Sequence, residues 1–238
     1  MYSRRRSRNP WQALAAFLLT IAVIIIWAVT LENGHPTTSV VTNSAAAGDV
    51  RSYFPAQPGL TWHYAGEGAE YASFSRKVAD VEGSMVLIEE TTTATTVGAV
   101  YSISKERAAL LVSEEEHTPG EHALFAEAAA NAAPKQIPIQ QPVAVGSRWQ
   151  DSVGKREITA RLADMSVPAG TFYDVVVVKT VPAAESEYEI TEYYAPNVGL
   201  IRRDFAPRSG ASGHTVSSFL SAYGYDPQSG LGPDGAAE

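Results

Sequence analysis

Three strand-like runs in succession, between Val167 and Phe205, constrain the fold more than any other feature of the sequence. The first run, Phe172 to Val181, contains four consecutive valines, which is typical of a strand buried on both faces or lining a cavity. The second, Glu187 to Tyr194, alternates in polarity as a half-exposed strand does. Pro196 then breaks the pattern, and Gly199 begins the third run. This segment therefore predicts antiparallel β-structure, with a hairpin between the second and third runs.

Eight other segments are rich in β-branched or aromatic residues or alternate in polarity. They are Leu60 to Ala65, Glu70 to Val81, Met85 to Thr96, Val97 to Lys105, Ala108 to Ser113, Arg148 to Val153, Lys155 to Ala163 and Thr215 to Tyr223. The connections are short and contain Gly or Pro, and no regular helices alternate with the strands. We expect a mainly β domain over residues 51–225, built as a curved antiparallel sheet or open half-barrel of about eleven strands.

One helix is predicted after Thr118, where the sequence Thr-Pro-Gly-Glu has capping-box spacing and a proline at the first helical position. Leu124, Phe125 and Ala128 follow at helical spacing, and Pro134 ends the pattern. The helix is expected to cover one mouth or face of the sheet. An ordinary packing helix is favoured over a mobile lid, because any surface helix needs such an apolar stripe.

The N-terminal region contains 21 uncharged residues from Trp11 to Leu31, enough to span a bilayer of roughly 30 Å. Four arginines precede this segment and Glu32 follows it, so the positive-inside rule predicts a cytoplasmic N-terminus. A cleaved signal peptide is the alternative. Its apolar core is usually shorter, and the nearest Ala-x-Ala lies as far away as Ala45, so an uncleaved single-pass anchor is favoured.

Three segments outside the anchor and the β-domain are predicted from their composition. Residues 1–10 form a basic cytoplasmic tail, and residues 32–50 are small and polar, as in a flexible linker that would span on the order of 25 Å. Residues 226–238 have the Gly, Pro and acid content of a disordered tail. The β-domain is therefore expected on the extracytoplasmic side of the cell membrane.

Composition excludes several kinds of site. The chain has no cysteine, so it has no disulfide, thiol nucleophile or cysteine metal site. Its formal net charge is −8, and the four arginines before the anchor leave an even more acidic remainder. Nucleic acid is not an expected partner, because phosphate binding needs clustered Lys and Arg.

The search for catalytic or metal-binding motifs yields weak candidates. Ser212 lacks the second glycine of a nucleophile elbow, and Ser102-x-x-Lys105 lies in a predicted strand instead of a helix. The segment Glu114 to His122 could bind a divalent ion, but a solvated acidic loop before a helix is favoured. We predict no enzyme activity, no metal and no cofactor.

Several short motifs lie along the predicted domain, and one of them, Gly-x-x-Trp, occurs twice. Gly59-x-x-Trp62 and Gly146-x-x-Trp149 each begin a predicted strand, which suits a turn glycine followed by a large core aromatic. The remaining motif residues are Tyr53, Phe54 and Pro55 near the start of the domain, Gly170 before the valine strand, and Pro196 and Gly199 in the hairpin.

Together these motifs resemble a group of uncharacterised bacterial exported proteins, which is distantly similar to the LolA/LolB-like lipoprotein-carrier superfamily. The resemblance covers about Tyr53 to Phe205 and implies a curved antiparallel sheet around an apolar cavity. It supplies no catalytic residues. This chain differs from the carriers in its predicted membrane anchor and in having one helix where they have several.

A cavity of this kind would be lined by apolar residues of the valine strand, the next strand and the helix. The candidates are Phe172, Val176, Val178, Tyr188, Ile190, Tyr194, Leu124 and Phe125. The first functional hypothesis is that the domain binds a lipid or acyl chain there. The alternative is a cell-envelope structural or assembly module that contacts partner proteins and has no ligand cavity, with a filled interior and an exposed apolar or tyrosine-rich patch.

Overall fold

The computed structural model describes residues 48–120, 123–130, 133–182, 186–209 and 211–225. These residues form one antiparallel sheet of twelve strands, two short α-helices and one turn of 3₁₀ helix at Glu70–Ala72. The strands are β1 (Leu60–Glu67), β2 (Phe74–Glu82), β3 (Met85–Thr91), β4 (Thr96–Ile103), β5 (Arg107–Glu114), β6 (Gln136–Gln140), β7 (Arg148–Gln150), β8 (Gly154–Val167), β9 (Gly170–Pro182), β10 (Tyr188–Ala195), β11 (Gly199–Pro207) and β12 (Val216–Tyr225). The helices are α1 (Val50–Tyr53) and α2 (Ala123–Ala130).

Each strand pairs with its neighbour in the chain, except that β1 pairs with β12 and that β6 and β7 are the two edges. The mainly β class, the hairpin of β10 and β11, and the burial of all four valines of β9 are confirmed. The sequence reading missed β6, because Pro138 interrupts a five-residue run. Proline is tolerated there because β6 is an edge strand.

Side chains join the two edges of the sheet. Trp149 Nε1 donates to the carbonyl of Ile137 at 2.7 Å, and the amide of Ile137 donates to Asp151 Oδ2 at 2.8 Å. Ser152 beyond β7 also donates to the carbonyl of Lys135. The sheet therefore curves until β6 and β7 meet, and it is more nearly closed than the predicted half-barrel.

The sheet has one internal split. The pairing of β11 with β12 ends at Arg202 and Phe219, although both strands continue. Beyond that point Trp62 Nε1 donates to the carbonyl of Val198 at 2.7 Å, and the Tyr64 hydroxyl donates to the carbonyl of Leu200 at 2.8 Å. Buried side chains of β1 thus satisfy backbone acceptors where the strand ladder is interrupted.

The two Gly-x-x-Trp motifs have the same structural role. Gly59 and Gly146 have φ values of 78° and 91°, a region that residues with a Cβ rarely adopt. Each glycine turns the chain into a strand, and the tryptophan three residues later donates its indole N–H across a break in the sheet. Trp62 bridges the internal split, and Trp149 bridges the two edges.

The end of the sheet at which β1 begins, called the lower end, is crossed by residues 48–55. The amide of Val50 donates to the carbonyl of Lys105 in the β4–β5 turn at 3.0 Å. On the other side, the amide of Asn197 in the β10–β11 turn donates to the carbonyl of Ser52. Phe54 points inward and its ring lies 5.1 Å from that of Tyr101. This segment closes the lower end of the sheet.

Two hydrophobic clusters lie on opposite faces. The larger, on the inner face, includes Trp62, Ile88, Tyr101 and Leu200 together with much of β9. The smaller lies on the outer face under α2 and contains Leu87, Val100, Leu111, Val112, Leu124, Phe125 and Ala128. The predicted covering helix is therefore present, and it covers the outer face of β3, β4 and β5.

The predicted anchor, most of the linker and the predicted C-terminal tail lie outside the described residues. Among the helices that the structure does describe, none has the length and apolar character needed to cross a membrane.

Replacing Trp149 by phenylalanine tests how the edges are joined. The ring would remain, but the carbonyl of Ile137 would lose its donor, so we expect Trp149→Phe to lower the free energy of unfolding by about 1–2 kcal/mol. Urea denaturation followed by circular dichroism measures the difference. Tyr173→Phe is the control, because that side chain is 69% exposed and should change stability by less than about 0.5 kcal/mol. Equal stability of the two variants would contradict this role of Trp149.

Candidate functional site: the interior of the sheet

The structure brings together only part of the predicted cavity lining. Val176 and Val178 of β9 are fully buried on the inner face, and Tyr194 pairs directly with Val176. Phe172 lies at the lower end, where its ring is 5.9 Å from that of Tyr223. Tyr188 and Ile190 lie toward the opposite end of β10 and are partly exposed. Leu124 and Phe125 lie apart from all of these, in the cluster on the outer face.

Six charged side chains occupy the inner face between the apolar regions, three of them buried (Asp151, Arg156 and Glu192) and three partly buried (Arg76, Glu90 and Arg203). Glu192 lies at their centre: Arg203 Nε is 3.2 Å from its Oε1, and Arg156 Nη1 is 3.1 Å from its Oε2. Arg156 Nε also lies 2.8 Å from Asp151 Oδ2. Across β2 and β3, Arg76 Nε pairs with Glu90 Oε2 at 2.9 Å. We call these residues the interior charge network.

Strand register places these groups. Glu192 is directly opposite Arg203 in the β10–β11 pair, and Arg76 is opposite Glu90 in the β2–β3 pair. Three arginines face three carboxylates, so the network is balanced in charge. Such pairing is what allows charged groups to be buried at all, because an isolated charge would lose its hydration without compensation.

The network shifts the ionisation of its members. Burial by itself would raise the pKa of Glu192, but Arg203, Arg156 and Arg76 together lower that pKa below its usual value. Burial, reinforced by the charge of Glu192, raises the pKa of Tyr194 well above the ordinary value. Glu192 is therefore a carboxylate and Tyr194 a neutral hydroxyl at neutral pH. Neither is poised to exchange a proton near pH 7.

A small cavity lies on the inner face toward the lower end. The inner face holds a cavity of about 20 Å³, which is room for roughly one water molecule. It is lined by Phe54, Pro55, Trp62, Tyr64, Arg76, Ile88, Tyr194, Gly199 and Leu200. Sites for small organic ligands usually measure about 300–1,000 Å³. This cavity is therefore much smaller than a usual site for a small organic ligand.

A larger depression, called the outer groove, lies beside α2 on the outside of the sheet. Its volume is about 290 Å³. The floor includes Ala109, Leu111 and Ala128, which are buried, and the rim includes the exposed Glu82 and Arg107. This groove is wide enough for one or two side chains of a partner, and it does not communicate with the predicted lining on β9 and β10.

In the acidic segment before α2, Glu114, Glu115 and Glu116 are exposed, as expected for a solvated loop, but His117 is buried. The side chain of His117 is fully buried over Gly98, where any Cβ would come within 2.5 Å of the imidazole ring. Glu114 Oε2 lies 3.4 Å from its Nδ1, and Glu89 Oε1 lies 3.7 Å from its Nε2. His117 thus holds this segment against the outer face. The described residues contain no group of three side chains able to hold a metal ion, and Glu121 and His122 lie outside them.

The sequence reading missed the interior charge network, although two of its members left a signal. Glu192 falls on the same face of its strand as Tyr188, Ile190 and Tyr194, and Arg76 falls between Phe74 and Val78. A charge on the apolar side of an alternating strand indicates a buried, paired group. The partners could not be named from the sequence, since they lie on strands brought together by the fold.

Comparison with known proteins gives limited information. No family model matches the chain, and no curated protein sequence matches it. A protein of Bacteroides fragilis, classed as exported and as having a YmcC-like fold, is 17% identical with a TM-score of 0.43, and the match covers 75% of this chain and 100% of that one. A protein of Parabacteroides distasonis, classed as a lipoprotein, is 16% identical with a TM-score of 0.37, over 72% of this chain and 98% of that one. These values do not assign the chain to a family, and the link to LolA/LolB-like carriers stays a prediction.

Neutralising Glu192 tests the interior charge network. Glu192→Gln leaves the buried Arg156 and the partly buried Arg203 short of a counter-charge, so we expect a loss of about 3–5 kcal/mol in unfolding free energy at pH 7. Because the folded pKa of Glu192 is lowered, its stabilising contribution is present above the pKa of the unfolded chain and is lost as pH falls through the folded value. The difference between wild type and variant should therefore shrink below about pH 4.5.

The matched control is Glu157→Gln, which breaks the exposed pair with Arg148 and should cost at most about 1 kcal/mol. Denaturation at a series of pH values measures both variants. A cost for Glu192→Gln that is as small as the control, or that is the same at pH 3 and pH 7, would contradict the burial of a paired carboxylate.

Proposed function

We propose that this chain is a membrane-anchored, non-enzymatic envelope module that acts through its surface and carries no acyl ligand inside. The domain would lie on the extracytoplasmic side, held by residues 11–31, as the positive-inside rule predicts. Of the two hypotheses from the sequence, this one requires a filled interior and exposed aromatic residues.

The observation that carries the proposal is the filling of the inner face. The cavity of about 20 Å³ is more than tenfold smaller than a usual ligand site, and an arginine, Arg76, forms part of its wall. An acyl chain would have to displace the Phe54 ring and separate ion pairs around Glu192. Both changes would expose apolar and charged groups that are now buried.

Surface features fit this role better. Tyr173 is 69% exposed, Tyr223 is 45% exposed and Tyr225 is 37% exposed, whereas most tyrosines in a fold of this kind pack their rings. The outer groove adds a concave surface with an apolar floor. Exposed aromatic side chains and apolar depressions are typical of surfaces that contact other molecules.

Native mass spectrometry of the full chain, purified in mild detergent, tests the proposal together with lipid extraction. We expect the mass of the polypeptide alone once detergent and annular lipid are removed in the gas phase. An acyl species that remains bound to the folded chain and is released on denaturation would overturn the proposal and restore the carrier hypothesis.

A variant with a larger residue in β9 gives an independent test. Val178 is fully buried, so Val178→Phe should overpack the interior and lower the unfolding free energy by about 1–3 kcal/mol. A ligand cavity at this position would accept the larger ring with little loss. Thr159→Phe, on the exposed side of neighbouring β8, is the control for the residue type itself. Equal stability of the two variants would argue for unfilled space next to β9.

A further inference from the structure

We infer that the lower end of the domain lies against the surface of a lipid bilayer, with Tyr173, Tyr223 and Tyr225 at the level of the headgroups. The inference rests on the proposed function and specifies one of the surfaces through which the module acts. It concerns the folded domain itself, in addition to the anchor that the sequence predicts.

The first support is the position of the exposed rings. Among the described residues, the large apolar side chains with high exposure are Val145, Tyr173, Tyr223 and Tyr225. Tyr223 and Tyr225 end β12, which is paired there with the first residues of β1. Tyr173 lies near the start of β9, beyond the last pair of β9 with β10. All three tyrosines are therefore at the lower end.

Contacts between elements confirm this placement. The amide of Ala169, in the turn between β8 and β9, donates to the carbonyl of Leu220 in β12 at 2.9 Å. Phe172, the neighbour of Tyr173, contacts the ring of Tyr223. The tip of the β8–β9 hairpin thus packs against the end of β12, and this brings the tyrosines of the two elements to the same end of the domain.

The second support is the path of the chain. The described structure starts at residue 48, which lies at the lower end, where the Gln141 side chain donates to the carbonyl of Gly48 at 2.9 Å. Only residues 32–47 separate that point from the uncharged segment of residues 11–31. The linker that the sequence predicts would span on the order of 25 Å, which is short enough to keep the lower end within reach of a bilayer surface.

The chemistry of the lower end selects the kind of membrane contact. Tyrosine is enriched at membrane interfaces because its ring is apolar and its hydroxyl reaches water. Two ion pairs at the lower end, Asp49 with Arg51 and Asp174 with Arg161, balance the charges closest to the start of the domain and to Tyr173. The contact is therefore expected to depend on the aromatic rings and to need no anionic lipid.

Site-directed spin labelling of the full chain in phosphatidylcholine nanodiscs tests the inference. The chain has no cysteine, so a single label can be placed at Pro168→Cys in the exposed β8–β9 turn or at Thr93→Cys in the β3–β4 turn at the opposite end. Power saturation with oxygen and with a nickel chelate reports the depth of each label. We expect the oxygen-to-nickel accessibility ratio to be several-fold higher at position 168 than at position 93.

The matched variant carries Tyr173→Ser, Tyr223→Ser and Tyr225→Ser together. It should reduce the ratio at position 168 to that at position 93 while the circular dichroism spectrum stays unchanged, because the three side chains are exposed. Equal ratios at the two positions in a chain that co-elutes with nanodiscs, or an unaltered ratio in the triple variant, would overturn the inference and leave the proposed function in place. A chain that does not co-elute with nanodiscs, or a bound acyl species in native mass spectra, would overturn the proposed function on which the inference rests, so the two failures are distinguishable.

Discussion

The carboxylate of Asp151 connects the closure of the sheet to its buried charges. Its side chain is only 1% exposed. It accepts from the amide of Ile137 on one edge strand and from Arg156 Nε, both at 2.8 Å, and it also accepts from the amides of Val153 and Gly154 after the other edge strand. One group thereby joins β6 to β7 and supplies the counter-charge of Arg156. The closed shape of the sheet and the pairing of its interior charges depend on each other.

The same charges shape the inner face of the sheet. Arginines from β2, β8 and β11 extend inward. They need carboxylates within reach, and Glu90, Asp151 and Glu192 supply them from neighbouring strands or the adjacent turn. Phe54 and the other residues that cross the lower end occupy much of the remaining space. Under the proposed function the domain acts through its surface, where Tyr173, Tyr223 and Tyr225 are exposed.

Much of this fold could be predicted from the sequence, because alternation and turn residues are local signals. The valine strand, the hairpin at Pro196 and the two Gly-x-x-Trp motifs all lie where the sequence places them. The strand containing Pro138 was missed because proline argues against a central strand, and only the finished topology shows that this strand is an edge. The side of the sheet that α2 covers, and therefore the separation of Leu124 and Phe125 from Val176, depends on packing between distant elements. The same holds for the interior charge network, whose partners lie on different strands.

Hydrogen exchange in an Asp151→Asn variant tests the central claim most directly. The asparagine side chain carries no negative charge. It therefore cannot both accept from the Ile137 N–H and neutralise Arg156, as the carboxylate of Asp151 does. The account predicts that amides of β6, above all that of Ile137, and of β7 and β8 exchange much faster than in the wild type. Amides in the β2–β3 pair should keep their protection at the same temperature and pH. Unchanged protection of β6, or an equal loss across the whole sheet, would contradict the role of Asp151 in closing it.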